Sequence, residues 1–155
     1  MSGRGLGMLR CGLILLAAAQ SGAGLWLGLF PAAFYRTVPT VDRYPPFNEH
    51  ILRDFGGASF ALGVVLTAAA VFLERRLVQV ALTACLVFAV PHCLFHLTHQ
   101  GHLPLGEAVL QSVGLTAAAL LPVPLLLLAR HATAAPIGAA AAHHRAAGAD
   151  GPPER

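Results

Sequence analysis

The sequence predicts an all-α protein, a four-transmembrane-helix bundle, and three observations predict it. Of the 155 residues, 56% are hydrophobic and only 11% are charged, where a soluble domain carries about 25% charged residues. The charges are gathered between long uncharged runs. Each run has about the ~20 residues that carry a helix across the hydrocarbon core. This composition excludes a disordered chain, a nucleic-acid-binding domain and an ordinary soluble enzyme. It makes the lipid bilayer the first partner, with no nucleic acid.

The first run, Cys11 to Tyr35, has 25 residues without Asp, Glu, Lys or Arg. Arg4 and Arg10 precede it, and Ala17-Ala18-Ala19 has the small-residue character of a signal-peptide cleavage site. The apolar character continues through Leu25, Trp26, Leu27, Leu29 and Phe30, so an uncleaved span over 11–33 is expected. The second run, Phe55 to Leu73, gives a span over 54–73, and the third, Leu77 to Gly106, a span over 77–98. The fourth, Ala108 to Ala129, gives a span over 106–129, kinked or loosened by Pro122 and Pro124. Within lipid, a helix satisfies its own backbone hydrogen bonds, and an isolated strand does not. The expected organisation is an N-terminal segment 1–10, a four-helix membrane domain 11–129 and a disordered, Ala-rich tail 130–155.

All ten basic residues are Arg. Seven of them (Arg4, Arg10, Arg75, Arg76, Arg130, Arg145 and Arg155) fall on one side of the predicted spans. Arg36, Arg43 and Arg53 fall on the other, beside Asp42, Glu49 and Asp54. The positive-inside rule then puts both termini in the cytoplasm and the first and third loops outside. The first loop, about 34–53, contains Pro39, Pro45 and Pro46, which favour an extended or turning path. Asn48 after them is an expected N-cap for the second span.

The three cysteines carry no C-x-x-C pattern. Cys85 and Cys93 are eight residues apart on one helix, about 12 Å and beyond disulfide reach. Thiol–disulfide chemistry is set aside, and Cys11, Cys85 and Cys93 are expected to be buried apolar fillers. Gly24 and Gly28 form G-x-x-x-G, and Gly57 and Ala61, preceded by Gly56, form a similar pair. Such small residues let helices approach closely, within the chain or in a homodimer.

The polar residues concentrate at the outer ends of three spans. The third span ends Pro91-His92-Cys93-Leu94-Phe95-His96-Leu97-Thr98-His99. Spacings of four and three put His92, His96 and His99 within roughly 60° of one helix face. The second span begins with Glu49-His50-Ile51-Leu52-Arg53-Asp54, pairing Glu49 with Arg53 and His50 with Asp54 at i,i+4. The fourth begins at Glu107, with Gln111 one turn deeper.

This pattern supports several kinds of chemistry. Imidazoles at i,i+4 can share a metal ion, so His92, His96 and His99 are candidate ligands, with Glu49 or Asp54 completing the shell. One or two of the His could ligate haem, and the same groups could form a proton relay or a quinone-like binding site. The same residues also follow the helix dipole, with acids at N-termini and cations at C-termini. On that reading Glu49, His50, Arg53, Asp54, His92, His96 and Glu107 form a structural polar cluster that locks the second, third and fourth spans together. The expected function is a non-enzymatic accessory or structural membrane component. The alternative is a metal-, haem- or quinone-binding redox component, and a small transporter is a third reading.

The stretch Asn48-Glu49-His50-Ile51-Leu52-Arg53-Asp54-Phe55-Gly56-Gly57, with Pro91-His92-x3-His96-x2-His99, resembles small four-helix membrane proteins of actinobacteria. The Gly-Gly near the start of the second span also resembles the broader DoxX-like families. The resemblance covers about residues 11–129. It implies an accessory subunit of a bacterial plasma membrane, working with a membrane protein partner and sometimes associated with redox or quinone systems. It implies no catalytic residue. The Arg-only, Ala-rich composition suits a high-GC bacterium.

Overall fold

The computed structural model describes residues 3–44 and 46–130; the expected tail, 130–155, lies outside the described residues except for Arg130, which ends the last helix. The elements are α1 (Gly3–Leu29), α2 (Pro31–Thr37), a 3-10 turn at Val41–Arg43, α3 (Glu49–Phe72), α4 (Arg75–Thr98), α5 (Leu105–Leu120) and α6 (Pro122–Arg130). Among the described residues there are no strands. Four stretches are long and apolar enough to cross a membrane: α1, α3, α4, and α5 with α6 taken together. Only 22% to 33% of each apolar window is buried inside the bundle. The remaining apolar surface is what lipid solvates, and the chain is a multi-pass membrane protein.

Local chemistry explains where the helices begin and end. The first helix starts at Gly3, about two turns before the expected boundary, because nothing between Gly3 and Arg10 breaks it. It stops at Leu29 rather than at residue 33, because Pro31 bars the helical conformation at the residue before it. Phe30 accordingly sits at φ −132° and ψ 56°, and Pro31 opens α2 in a new direction. Asn48 caps α3 as expected, its Oδ1 accepting from the Ile51 N–H at 3.1 Å. Leu73, at φ 50°, and Glu74 alone separate α3 from α4. The fourth span breaks between Leu120 and Pro122, as the prolines led us to expect. Pro122 and Pro124 have no N–H to offer the carbonyls of Ala118 and Leu120.

α1 and α3 run antiparallel with their backbones in contact. A Cβ placed on Gly24 would lie 2.5 Å from the Phe60 nitrogen and 2.8 Å from the Gly56 carbonyl oxygen. One placed on Gly56 would lie 2.6 Å from the Gly28 nitrogen. Deeper along the pair, Gly63 meets Ser21 in the same way. The G-x-x-x-G of the first span is therefore an intramolecular seam. Its partner is Gly56, not the Gly57–Ala61 pair, since a Cβ on Gly57 meets nothing within 4 Å.

An arginine ties each end of this pair. Arg10 Nε donates to the Ala70 carbonyl at 3.2 Å. Arg53 Nη1 donates to the Gly28 carbonyl. Both acceptors lie in the last turn of a helix, where carbonyls have no helical partner and the dipole favours a cation. Each helix thus supplies, near its own start, the cap for the other's end.

The other spans complete the bundle on one side of the seam. α4 packs on α3, α5 and α6, while α6 returns to touch α1, with Leu125 against Gly12. The main apolar cluster lies in this half, at the end where the described chain starts and stops. Leu9, Leu13, Leu66, Val78, Leu82, Leu125 and Ala129 are at its centre. Cys85 joins that core, and Cys93 is also buried, but Cys11 is exposed. Cys11 is a surface residue because the α1 face that packs is the one carrying Leu9, Leu13 and Leu16. α5 packs on α4 and α6 and touches neither α1 nor α3.

The seam makes a contrast between neighbouring glycines. Gly24→Ala and Gly56→Ala should each lower stability by about 1–3 kcal/mol through overpacking. Gly57→Ala should raise it by about 0.5–1 kcal/mol through helix propensity. Thermal unfolding in one detergent, followed by circular dichroism, checks the sign of all three.

Candidate functional site

At the opposite half, where the α5 backbone stands apart from α1 and α3, the bundle forms a partly open cavity of about 670 Å³. Leu27 of α1, Phe34 of α2, and Leu52 and Phe55 of α3 form one wall. His92, Phe95 and His96 of α4 face Leu110, Gln111, Gly114 and Leu115 of α5 across it. Val38 to Tyr44 form a strap across its end. None of the lining residues is Asp, Glu, Lys or Arg.

The strap is held by side-chain hydrogen bonds. Gln111 Nε2 donates to Thr40 Oγ1 at 2.7 Å, and Tyr44 OH donates to Gln111 Oε1 at 3.1 Å. Gln100 Nε2 reaches the same Gln111 Oε1 at 3.4 Å and donates to Ser112 Oγ at 2.9 Å. Arg43 lies 3.4 Å from Glu107 across the rim. Thr40 is buried and left-handed, at φ 73°. That conformation is costly for a β-branched residue and persists where surrounding contacts enforce it. The Gln111 amide is the contact that does so. The sequence reading placed Gln111 at this depth but passed over Thr40 and Tyr44. The available signal was a hydroxyl-bearing pair flanking a short Pro-bounded segment of the longest loop.

His92 and His96 stand side by side on the α4 wall, ring centroids 4.6 Å apart. His92 stacks on Phe88 at 5.3 Å, with Phe55 at 6.3 Å. His96 meets Tyr44 edge-on at 4.6 Å and Phe95 at 5.5 Å. Neither imidazole makes a hydrogen bond to any described residue, and His96 Nδ1 is fully shielded. The shielded Nδ1 is an unpaired buried polar atom, at a cost of about 1–3 kcal/mol, while the other ring nitrogens of the pair keep accessible surface and are free to bond a ligand.

The other candidates are placed differently. His99 turns back onto its own helix end, with Nδ1 2.8 Å from the Phe95 carbonyl and 2.9 Å from Thr98 Oγ1, its ring stacked on Phe95 at 4.3 Å. Glu49 is held by Arg53 at 2.7 Å, and His50 lies 3.4 Å from Asp54, all four exposed on α3. The structure therefore does not bring His92, His96 and His99 to one point with Glu49 or Asp54. Among the described residues, no three His, Cys, Asp or Glu side chains are grouped to hold a metal ion. The seven polar residues are likewise not one lock between the second, third and fourth spans. Arg53 reaches α1, and Glu107 reaches the strap through Arg43. The reason is local: the i,i+4 pairs of α3 satisfy one another on their own helix.

No protein-family model, curated protein or solved structure matches the chain. The functional reading therefore rests on the site itself.

Gln111→Leu should release the strap. It leaves the buried Thr40 hydroxyl and the Tyr44 hydroxyl without their partner, at about 1–3 kcal/mol for each group stranded. Hydrogen exchange should rise in the amides of residues 38–44 and stay unchanged along the α1–α3 seam.

Proposed function

We propose that the protein is a non-enzymatic component of a bacterial plasma membrane that binds a lipophilic organic molecule in the strap-covered cavity. The observation that carries this reading is the pair of imidazoles, without hydrogen-bond partners among the described residues, on the wall of a mostly apolar space that holds no Asp, Glu, Lys or Arg. A cavity of about 670 Å³ falls within the roughly 300–1,000 Å³ range of organic-ligand sites. Those sites likewise combine apolar walls with a few polar groups that orient the ligand. The remaining polar side chains of the lining, Thr40, Tyr44 and Gln111, are already bonded to one another. They shape the site and leave the imidazoles as its free chemistry. The arginine distribution supports an orientation with both termini cytoplasmic and the cavity in the outer leaflet. An accessory role beside a larger membrane protein fits this size and position.

The experiment is native mass spectrometry of the protein released from mild detergent, with wild type and Gly114→Leu compared. Gly114 lines the cavity, and a Cβ there meets nothing within 4 Å. The backbone therefore accepts a side chain at this position, and a leucine there takes up space beside the ligand. We expect an organic adduct near one per chain on wild type, lost from Gly114→Leu while that variant keeps its helicity. An adduct retained at the same occupancy by Gly114→Leu would overturn the assignment to this cavity.

A further inference from the structure

We infer that the ligand carries a neutral carbonyl or hydroxyl oxygen, held by His92 and His96, rather than an ionised head group. This inference rests on the cavity-binding reading above and adds the chemistry of the head. A neutral imidazole presents one N–H donor and one lone-pair acceptor, so two adjacent rings can both give and receive a hydrogen bond. A carbonyl oxygen uses the donor, and a hydroxyl uses either. Around those rings the walls are aromatic and aliphatic: Phe55, Phe95, Tyr44, Leu52 and Leu115. An ionised head placed there would be taken out of water with no counter-charge in the lining, which is strongly unfavourable.

The nearest ionised groups reinforce the same selection. Glu107 lies one turn from Gln111 on α5, with Arg43 3.4 Å from it. A carboxylate or phosphate would meet the Glu107 charge at the rim. A cationic head would have to compete with an arginine that already occupies it. Glu49, Arg53, His50 and Asp54 are paired among themselves on the exposed start of α3 and contribute nothing to the lining. An uncharged oxygen meets none of these obstacles and can pair with the ring nitrogens that keep accessible surface, those of His92 and Nε2 of His96.

The test uses photolabelling of the full chain in lipid nanodiscs. The probe is a heptyl-substituted benzophenone, a neutral aryl ketone that cross-links on illumination. Its competitors keep the heptylphenyl body and carry an ionised head in place of the ketone: para-heptylbenzoate and para-heptylbenzylammonium. Labelling of wild type by the neutral probe should be saturable and map to α4, α5 or the strap. His92→Phe/His96→Phe keeps ring size and the aromatic contacts but removes both nitrogens. Its half-saturation should rise by about tenfold or more, the effect of losing one to two hydrogen bonds. Circular dichroism and size-exclusion profiles matching wild type establish that the variant is folded. His50→Ala, a histidine substitution on the exposed start of α3 and outside the lining, should retain binding within about threefold.

Unchanged affinity in the double-His variant, or tighter binding of the carboxylate or amine, would overturn the neutral-head inference and leave the cavity reading standing. The absence of saturable labelling of wild type by the neutral probe, with no binding of either competitor by native mass spectrometry, would instead overturn the cavity reading.

Discussion

The backbones of α1 and α3 touch, and the rest of the molecule is arranged around that contact. Gly24, Gly56 and Gly63 bring the two helices closer than any side chain larger than hydrogen permits, and the Gly28 backbone lies against Gly56. In lipid, apolar side chains gain little by meeting each other rather than acyl chains, so close backbone packing supplies the attraction. The seam also sets the distance over which Arg10 and Arg53 can reach across to orphaned carbonyls at the opposite helix end. A wider pair would leave those carbonyls, and those guanidinium groups, without partners inside or beside the bilayer. Tight packing and polar satisfaction thus depend on the same small residues.

The two halves of the bundle divide the work. In the half holding the described chain's ends, α1, α3, α4 and α6 converge on a leucine-rich core. In the other half, α5 rests on α4 alone among the earlier helices, and the seam holds α1 and α3 together without it. The proline break between α5 and α6 lets one span serve both halves: α6 closes the core, and α5 departs from it. The chain bridges the resulting space with the strap, at the cost of a left-handed Thr40. The polar groups around that space pair with one another, apart from the two imidazoles on α4 and the inner oxygen of Glu107.

Much of the fold was legible because the bilayer imposes a coarse, one-dimensional rule. Uncharged runs of sufficient length become helices, so the four spans, the Asn48 cap and the break at Pro122 follow from composition and local chemistry. The break at Pro31 was equally local, and apolarity alone hid it, since a helix that turns after Leu29 stays apolar on both sides of the turn. The candidate site was legible in part. His92 and His96 could be singled out because ionisable residues are expensive at that depth. His99, with the same spacing, parts from them because it sits at the helix end, where a free carbonyl competes for its Nδ1.

The sequence by itself determined the solvent this protein lives in, the number of its spans, their caps and breaks, and which helix carries its unusual side chains. These follow from hydrophobicity, backbone sterics and i,i+4 neighbours, all of which act along the chain. The tertiary structure alone decided which glycine meets which, that Arg53 serves α1 and Glu107 serves the strap, and that two histidines face Gln111 across a cavity closed by the Tyr44 strap. A span that is apolar on nearly every side has no periodicity to fix its rotation. Only contact with its neighbours turns His92 and His96 toward a cavity instead of toward lipid.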